Sequence, residues 1–378
     1  MKKHAIIPVF IPHRGCPNDC VFCNQKAITA RQPDVSPSDV RSIIDTYLPT
    51  LSGRGLETIE VAFFGGSFTG LPMEEQSAFL EVAADYKRKG LIDKIHMSTR
   101  PDYIDQDILD NLRYYSADTI ELGVQSFDDA VLAAAGRGHT SEDVYRACEL
   151  IHEYGFELGI QLMIGLPGDS LEKCLYSSRE TVRMKPSIAR LYPTIVLRDT
   201  ALFEMYKAGL YHPLTTEEAV AITKEMYRIL TGAGINIIRV GLKSTDLISG
   251  SGQDSDKTWG HTYHPAFRQL VEGEIAREDI EAQLQSLQED SCDPGHCVPG
   301  DRSGCNSRAA DNLHVPGDRP AATKKRRITV SSNGVSFSNM IGNRACNRRY
   351  FESAYPDLSI RFTVDDSLPD MTFRVCAQ

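Results

Sequence analysis

Short apolar runs alternate with amphipathic stretches from the N-terminus to about residue 240. Strands are expected at residues 5–11, 58–64, 94–98, 118–123, 156–164 and 187–197, where apolar side chains cluster over a strand's length. Helices are expected between and after them, at 37–51, 73–89, 104–114, 141–154, 170–184 and 215–231. In the second of these helices Phe79, Leu80, Val82 and Ala83 share one side, and Pro101–Asp102 opens the third. Strands alternating with helices of this length predict right-handed βαβ units and a parallel sheet. Six such units predict an α/β fold, a partial (β/α)6 barrel of the TIM type. In parallel barrels chemistry gathers at the carboxyl ends of the strands, and here the notable glycines and polar residues fall at those ends.

After residue 240 the pattern changes. Phe267, Leu270, Val271, Ile275, Leu284 and Leu287 recur at helical spacing and predict a helix over 266–287. Residues 291–327 are rich in Gly, Pro, Asp and Arg, with Val-Pro-Gly-Asp-Arg at 298–302 and again at 315–319. That composition predicts a flexible linker or insertion. Beyond it, strands at 328–332 and 358–364 with a helix near 343–355 predict a small α/β module. The expected domains are a core barrel at 1–245, a helical extension at 246–290, the linker at 291–327 and the module at 328–378.

Composition narrows the setting. The chain has 378 residues, a net charge of −10 and ten cysteines. No run of 18 apolar residues is present, so no membrane partner is expected. The basic start Met1–Lys2–Lys3–His4 leads into an apolar stretch broken by Pro8 and Pro12, which reads as a strand and not as a signal peptide. Ten cysteines without an export signal point to reduced thiols in a cytoplasm. The negative charge argues against nucleic acid binding over the whole surface. The charge is unevenly placed: residues 272–293 hold eight acidic side chains, whereas 319–351 hold eight basic ones and no acidic one.

Cys16, Cys20 and Cys23 stand in one loop after the first strand, spaced Cys-x3-Cys-x2-Cys. Three thiolates can hold three corners of a [4Fe–4S] cluster and leave one iron open to bind a small molecule. A structural zinc site is the alternative; it needs a fourth ligand, for which His13 is placed in sequence. Cys292, His296, Cys297, Cys305 and His314 form a second, looser set of candidate zinc ligands. Gly65–Gly66 ends the second strand and lets the backbone approach a ligand closely. Glu121 and Gln125 close the fourth strand, and Arg137–Gly138–His139 follows. A carboxylate, a carboxamide and a guanidinium at strand ends can bind ribose hydroxyls and a carboxylate.

The cysteine spacing with Phe22 before the third cysteine resembles the radical S-adenosylmethionine (SAM) superfamily. Gly65–Gly66–Ser67 after the second strand resembles that superfamily's GGE-type motif. The strings Glu121-Leu-Gly-Val-Gln-Ser-Phe127 with Arg137-Gly-His139, and Gly159-Ile-Gln-Leu-Met-Ile-Gly-Leu-Pro-Gly168, are similar to those of the Elongator catalytic subunit and of the oxygen-independent coproporphyrinogen oxidases. Segments 98–103 and 191–202 resemble the Elongator subunit in particular. The resemblance covers about residues 4–245. It implies a barrel of the radical SAM kind, a [4Fe–4S] cluster and SAM as cofactors, and cleavage of SAM to a 5′-deoxyadenosyl radical. It implies Cys16, Cys20 and Cys23 as cluster ligands, Phe22 against the adenine, and Gly65, Gly66 and Ser67 at the methionine end. Ser98, Gln125, Arg137 and Gln161 fall at positions that line the SAM pocket, with Glu121 just before. A reductant such as flavodoxin or ferredoxin is the implied partner.

Two departures qualify the likeness. The Elongator subunit has a longer first cysteine gap, and nothing after residue 245 resembles a Gly-rich acyl-CoA loop. Ser98 and Gln161 stand where the porphyrinogen oxidases have acidic residues. The first-choice substrate is therefore an RNA base, in tRNA, with a porphyrin-like small molecule second and a zinc-binding interaction protein as the reading from a different class. Residues 338–349 resemble a KH-type loop in which a Gly-x-x-Gly turn clamps a nucleic-acid backbone, with Ala345 in place of the second glycine. Arg344, Arg348 and Arg349 are the expected RNA contacts there.

Overall fold

The computed structural model describes residues 3–11, 16, 20–23, 35–242, 258–289 and 325–377. His13 and the expected linker up to residue 324, with its cysteines and histidines, lie outside the described residues. The chain divides into two compact units, residues 1–268 and 269–378.

The first unit is built in the expected alternation. Its elements are β1 (His4–Ile11), α1 (Pro37–Leu51), β2 (Thr58–Gly65), α2 (Met73–Arg88), β3 (Lys94–Thr99), α3 (Gln106–Tyr114) and β4 (Thr119–Gln125). They continue with α4 (Asp129–Ala134), α5 (Ser141–Glu153), β5 (Glu157–Ile164), α6 (Leu171–Met184), β6 (Ile188–Pro193) and β7 (Val196–Leu197). The unit is completed by α7 (Ala201–Lys207), α8 (Thr216–Gly232), β8 (Asn236–Val240) and β9 (Thr258–Trp259). Capping boxes start three of the helices, Ser36 with Asp39, Thr140 with Asp143 and Thr215 with Glu218, each pairing an orphan amide at the helix start with a side chain.

The main sheet is seven-stranded and wholly parallel, in the order β1-β2-β3-β4-β5-β6-β8. β1 and β8 are its edges and are not paired with each other, so the barrel is an open, partial one. One strand more than expected takes part: the short Asn236–Val240 run extends the sheet beyond β6. The expected strand over 187–197 is two strands. β6 ends at Pro193, which cannot continue a ladder as donor, and Val196–Leu197 pairs instead with Thr258–Trp259 in a separate two-stranded sheet.

Ile7, Val9, Val61, Ile95, Met97, Ile120, Leu122, Ile160, Leu162 and Leu191 are buried on these strands, as a sheet covered on both faces requires. The register aligns the carboxyl ends along one edge: Ile11 opposes Gly65, Thr99 opposes Leu122 and Ile164 opposes Pro193. β4 carries a register shift between Gly123 and Gln125, and Gln125 has φ 71°. A bulge at a strand end re-aims a side chain, here the Gln125 carboxamide.

The second unit contains α9 (Phe267–Glu289) from Gln269 onward, β10 (Arg326–Ser332), α10 (Phe337–Ile341), α11 (Cys346–Ala354), β11 (Leu358–Val364) and β12 (Arg374–Ala377). β10 is the middle strand, parallel to β11 and antiparallel to β12. Ala276, Ile280 and Leu284 from α9 share one buried core with Ile328, Val330, Met340, Phe351 and Phe373. The helix expected near 343–355 is α11, which starts three residues later, at Cys346, because positive φ at Gly342, Arg344 and Ala345 makes a tight turn there; α10 before that turn was not expected.

Candidate functional site

The cysteine loop sits where β1 leaves the sheet, and it is fixed by main-chain bonds to later parts of the chain. The Val21 amide donates to the Ala135 carbonyl at 3.0 Å, and the Leu202 amide donates to the Val21 carbonyl at 2.7 Å. Within the loop the Cys23 amide donates to the Cys20 carbonyl at 2.9 Å. Phe22 is half-buried against two apolar groups, one with Val131, Ala135 and Leu166, the other with Val196, Leu202 and Tyr211. All three cysteines are free thiols.

Two buried arginines come to this loop, Arg100 from the end of β3 and Arg137 from the turn between α4 and α5. Arg137 donates from Nη1 to the Cys20 Sγ at 3.3 Å and from Nη2 to the Gly123 carbonyl at 2.5 Å. Arg100 holds Asp102 through two bonds of 2.9 and 2.8 Å and donates to the Arg137 carbonyl at 2.6 Å. Burial pushes the Cys16 thiol up, and the Arg100 charge, then that of Arg137, pulls against the rise. Among the described residues, no group of three His, Cys, Asp or Glu side chains is placed to hold a metal ion. The donor chemistry nevertheless fits an iron–sulfur cluster: three free thiols, with two cations placed to offset the negative charge of bound thiolates.

The second strand end forms a cradle. Gly65 has φ 122°, and a Cβ there would stand 2.2 Å from the Ile11 carbonyl oxygen. The next amide, that of Gly66, donates to the same oxygen at 3.1 Å. Only glycine fits that crossing of β1 and β2. Ile11, Gly66, Ser67 and Ser98 line one narrow cleft beside it. The Ser67 side chain itself is 1% exposed and shares a buried hydroxyl network, 2.9 Å from Thr99 Oγ1 and accepting from the Arg100 amide at 3.3 Å. The carboxamides of Gln161 and Gln125 are joined, Nε2 to Oε1 at 3.1 Å.

Glu121 belongs to a buried charge network inside the barrel. Arg190 Nε lies 2.8 Å from its Oε2, His96 Nε2 lies 3.6 Å away, and Ser98 Oγ donates to Oε1 at 3.3 Å. His96 Nδ1 in turn meets Glu60 at 2.5 Å, and His4 meets the same carboxylate at 3.0 Å. Burial alone would raise the Glu60 carboxyl, but His96, with His4, carries it below the usual carboxylate range. Arg190 also covers the Phe64 ring at 4.8 Å.

The structure thus brings Cys16, Cys20, Gly123 and Arg137 into one neighbourhood, places Ser98 beside the glycine cradle and joins Gln125 to Gln161. Sequence reading missed Arg100, His96 and Arg190. Arg100 follows Ser98–Thr99 at a strand end, which was the signal available for it; His96 and Arg190 sit mid-strand with none.

Comparison with known proteins identifies the family. The model for the radical SAM superfamily matches residues 10–176, and that for the radical SAM C-terminal domain matches residues 186–277. The tRNA uridine(34) acetyltransferase of Methanocaldococcus jannaschii is 28% identical over 261 residues, 58% of this chain and 47% of that protein. Elongator complex protein 3 of Homo sapiens is 27% identical over 270 residues, 60% of this chain and 49% of that protein. The chain therefore spans about half the length of the curated relatives it matches. Among solved structures, the Methanocaldococcus infernus Elp3 with an N-terminal deletion superposes with a TM-score of 0.51 at 22% identity, covering 65% of this chain and 61% of that one. The two matched models, over residues 10–176 and 186–277, make this chain a member of the radical SAM superfamily of enzymes.

Proposed function

We propose that this enzyme cleaves SAM reductively and uses the resulting radical to modify a base in RNA, with tRNA as the substrate class, in the cytoplasm. Cys16, Cys20 and Cys23 would hold a [4Fe–4S] cluster, which would supply the electron for reductive cleavage of SAM. A small reducing protein of the flavodoxin or ferredoxin kind is the electron source. The carrying observation is the pair of buried arginines set against a loop of three free cysteines at the carboxyl edge of a parallel sheet.

In this reading Arg137 orients the Cys20 sulfur by donating to it and places a cation beside the ligand set. Gly66, whose amide is held by Ile11, has no side chain and leaves its carbonyl for the methionine end of SAM. Ser98, Gln125 and Gln161 supply hydroxyl and amide groups for the ribose and carboxylate. Phe22 brings an apolar ring toward the adenine and helps exclude water. The RNA substrate is supported by the likeness to a protein named tRNA uridine(34) acetyltransferase and to Elongator complex protein 3.

The test is anaerobic reconstitution, reduction, and incubation with SAM and total tRNA, followed by nucleoside mass spectrometry. A 5′-deoxyadenosine product together with a shifted nucleoside is expected. Replacing Cys16, Cys20 or Cys23 by Ala should abolish iron retention, whereas Cys148→Ala and Cys174→Ala should keep it. Equal iron loss in Cys174→Ala and Cys20→Ala would remove the ligand assignment. Deoxyadenosine without any altered nucleoside would remove the RNA substrate and leave SAM cleavage standing.

A further inference from the structure

The second unit has a core distinct from the radical chemistry, and its topology points to a ligand. β10 and β11 are parallel neighbours, and the chain between them folds as α10, a turn and α11, with both helices packed on β11. The turn is Gly342–Asn343–Arg344–Ala345. Gly342 has φ 79°, Arg344 φ 49° and Ala345 φ 60°, so two side-chain-bearing residues in succession are held left-handed. A Cβ at Gly342 would lie 2.6 Å from the Cys346 Sγ and 2.8 Å from the Asn347 amide nitrogen. Such strain persists only where surrounding contacts over-determine it. Here they do: Asn343 Nδ2 donates to Gln269 at 2.8 Å, and Asn347 Nδ2 donates to the carbonyls of Gly273 and Asn339 at 2.7 and 3.1 Å.

The rigid turn carries exposed cations. Arg344, Arg348 and Arg349 all face solvent, and Arg349 donates to the Arg344 carbonyl at 2.6 Å. One acidic residue, Glu352, pairs with Arg348 at 2.9 Å. Beside the helices β11 is an edge strand, with its outer line of main-chain N–H and C=O groups unladdered among the described residues. A turn of fixed shape with cations suits a phosphodiester backbone, and an open strand edge suits the hydrogen-bonding edges of unstacked bases.

We propose that the second unit is a single-stranded RNA-binding module of the KH type, in which the Gly342–Ala345 turn seats the phosphate backbone and the edge of β11 receives the bases. It deepens the RNA reading of the radical site and rests on it for the substrate class. The unit would hold the strand that supplies the base to be modified.

The test uses the full chain and a fluorescein-labelled single-stranded RNA of mixed sequence, followed by fluorescence anisotropy across a salt series. The same sequence as a blunt duplex is the second probe. Single-stranded RNA should bind at low salt, and more tightly than the duplex. Arg344→Glu with Arg348→Glu should weaken it by about tenfold or more and reduce the slope of log affinity against log salt by about 1.4, roughly 0.7 for each lost phosphate contact on a single strand. Thermal midpoint and iron content report folding of the variant. Lys207→Glu, on the surface of the first unit, controls for bulk charge. No binding by the parent chain, a folded double variant with parental affinity, or equal loss in Lys207→Glu would overturn the proposal. Binding needs neither SAM nor reductant. A chain that binds through this turn yet alters no nucleoside refutes the proposed reaction alone, and one that alters tRNA with parental efficiency in the double variant refutes the module alone.

Discussion

Arg137 Nη1 lies 3.3 Å from Cys20 Sγ, 117 residues earlier in the chain, while its Nη2 holds the Gly123 carbonyl at 2.5 Å. One guanidinium thus joins the cysteine loop to the bulged end of β4. Arg137→Met removes both donors and leaves the Gly123 carbonyl short of its partner, at a cost of about 1–3 kcal/mol. The variant should melt lower and retain less iron after anaerobic reconstitution than the parent. Arg137→Lys keeps the charge but not the planar fork, and should fall between the two. Parental iron content and melting in Arg137→Met would show that the contact is incidental.

Gly65 offers a test of the cradle. Gly65→Ala forces a Cβ against the Ile11 carbonyl at a backbone angle that disfavours it, and should destabilise the chain by about 2–3 kcal/mol. Gly90 also has positive φ, 68°, but meets nothing within 4 Å. Gly90→Ala should cost about 1 kcal/mol. Equal denaturant midpoints for the two variants would refute the close approach as the cause.

The buried ion pair of Arg190 and Glu121 should behave asymmetrically. Arg190→Met leaves the Glu121 carboxylate, 2% exposed, without its cation, at a cost of about 3–5 kcal/mol. Adding Glu121→Gln removes the stranded charge and should recover much of that loss. A double variant less stable than Arg190→Met by the full cost of a second independent site would argue against the pairing.

His139 sets a pH dependence. Burial, reinforced by the Arg137 and Arg100 charges, lowers its pKa to about 4, and Nε2 sits 3.3 Å from the Val124 carbonyl. The unfolded imidazole titrates near ~6.5, so between the two values the unfolded chain binds the proton and the native one does not. Its contribution is complete above pH ~6.5 and is lost as pH falls through about 4, a total on the order of 3 kcal/mol. His139→Gln should show a shallower fall in stability than the parent over that window in urea titrations at stepped pH. Parallel curves would mean that native His139 takes up its proton as readily as the unfolded chain does.

Much of the barrel was legible because each element carries its own periodicity. Phe79, Leu80, Val82 and Ala83 mark a helix face without reference to anything else, and all four are buried. The split of the sixth strand was less legible. An apolar run continues through Val196, but the Thr194 amide donates to Ile164 while the chain leaves the sheet, a tertiary event. The cysteines and the glycine pair were readable as adjacent residues. Arg100 acts on the loop from the end of β3 and Arg137 from the turn after α4, while Arg190 and His96 meet Glu121 and His96 in turn meets Glu60, residues drawn from four strands. No local string records such a convergence, so it emerged only with the register. In the second unit the Gly-x-x-Ala string marked a turn at 342–345, but its left-handed backbone was not legible, because Arg and Ala are ordinary helix residues and that backbone is held by Asn343 and Asn347 reaching other parts of the unit.

The two main-chain bonds at Val21 also set an order of events during biosynthesis. A ribosome delivers the three cysteines well before Ala135 and Leu202 have been made. Until those residues are in place, the loop lacks the carbonyl and the amide that hold it, and the thiols travel on an unanchored segment. Under the proposed function, loading of iron and sulfide would be a late step of maturation, one that follows docking of the α4 and α7 regions. A nascent chain arrested before residue 202 would expose its thiols without the frame that arranges them.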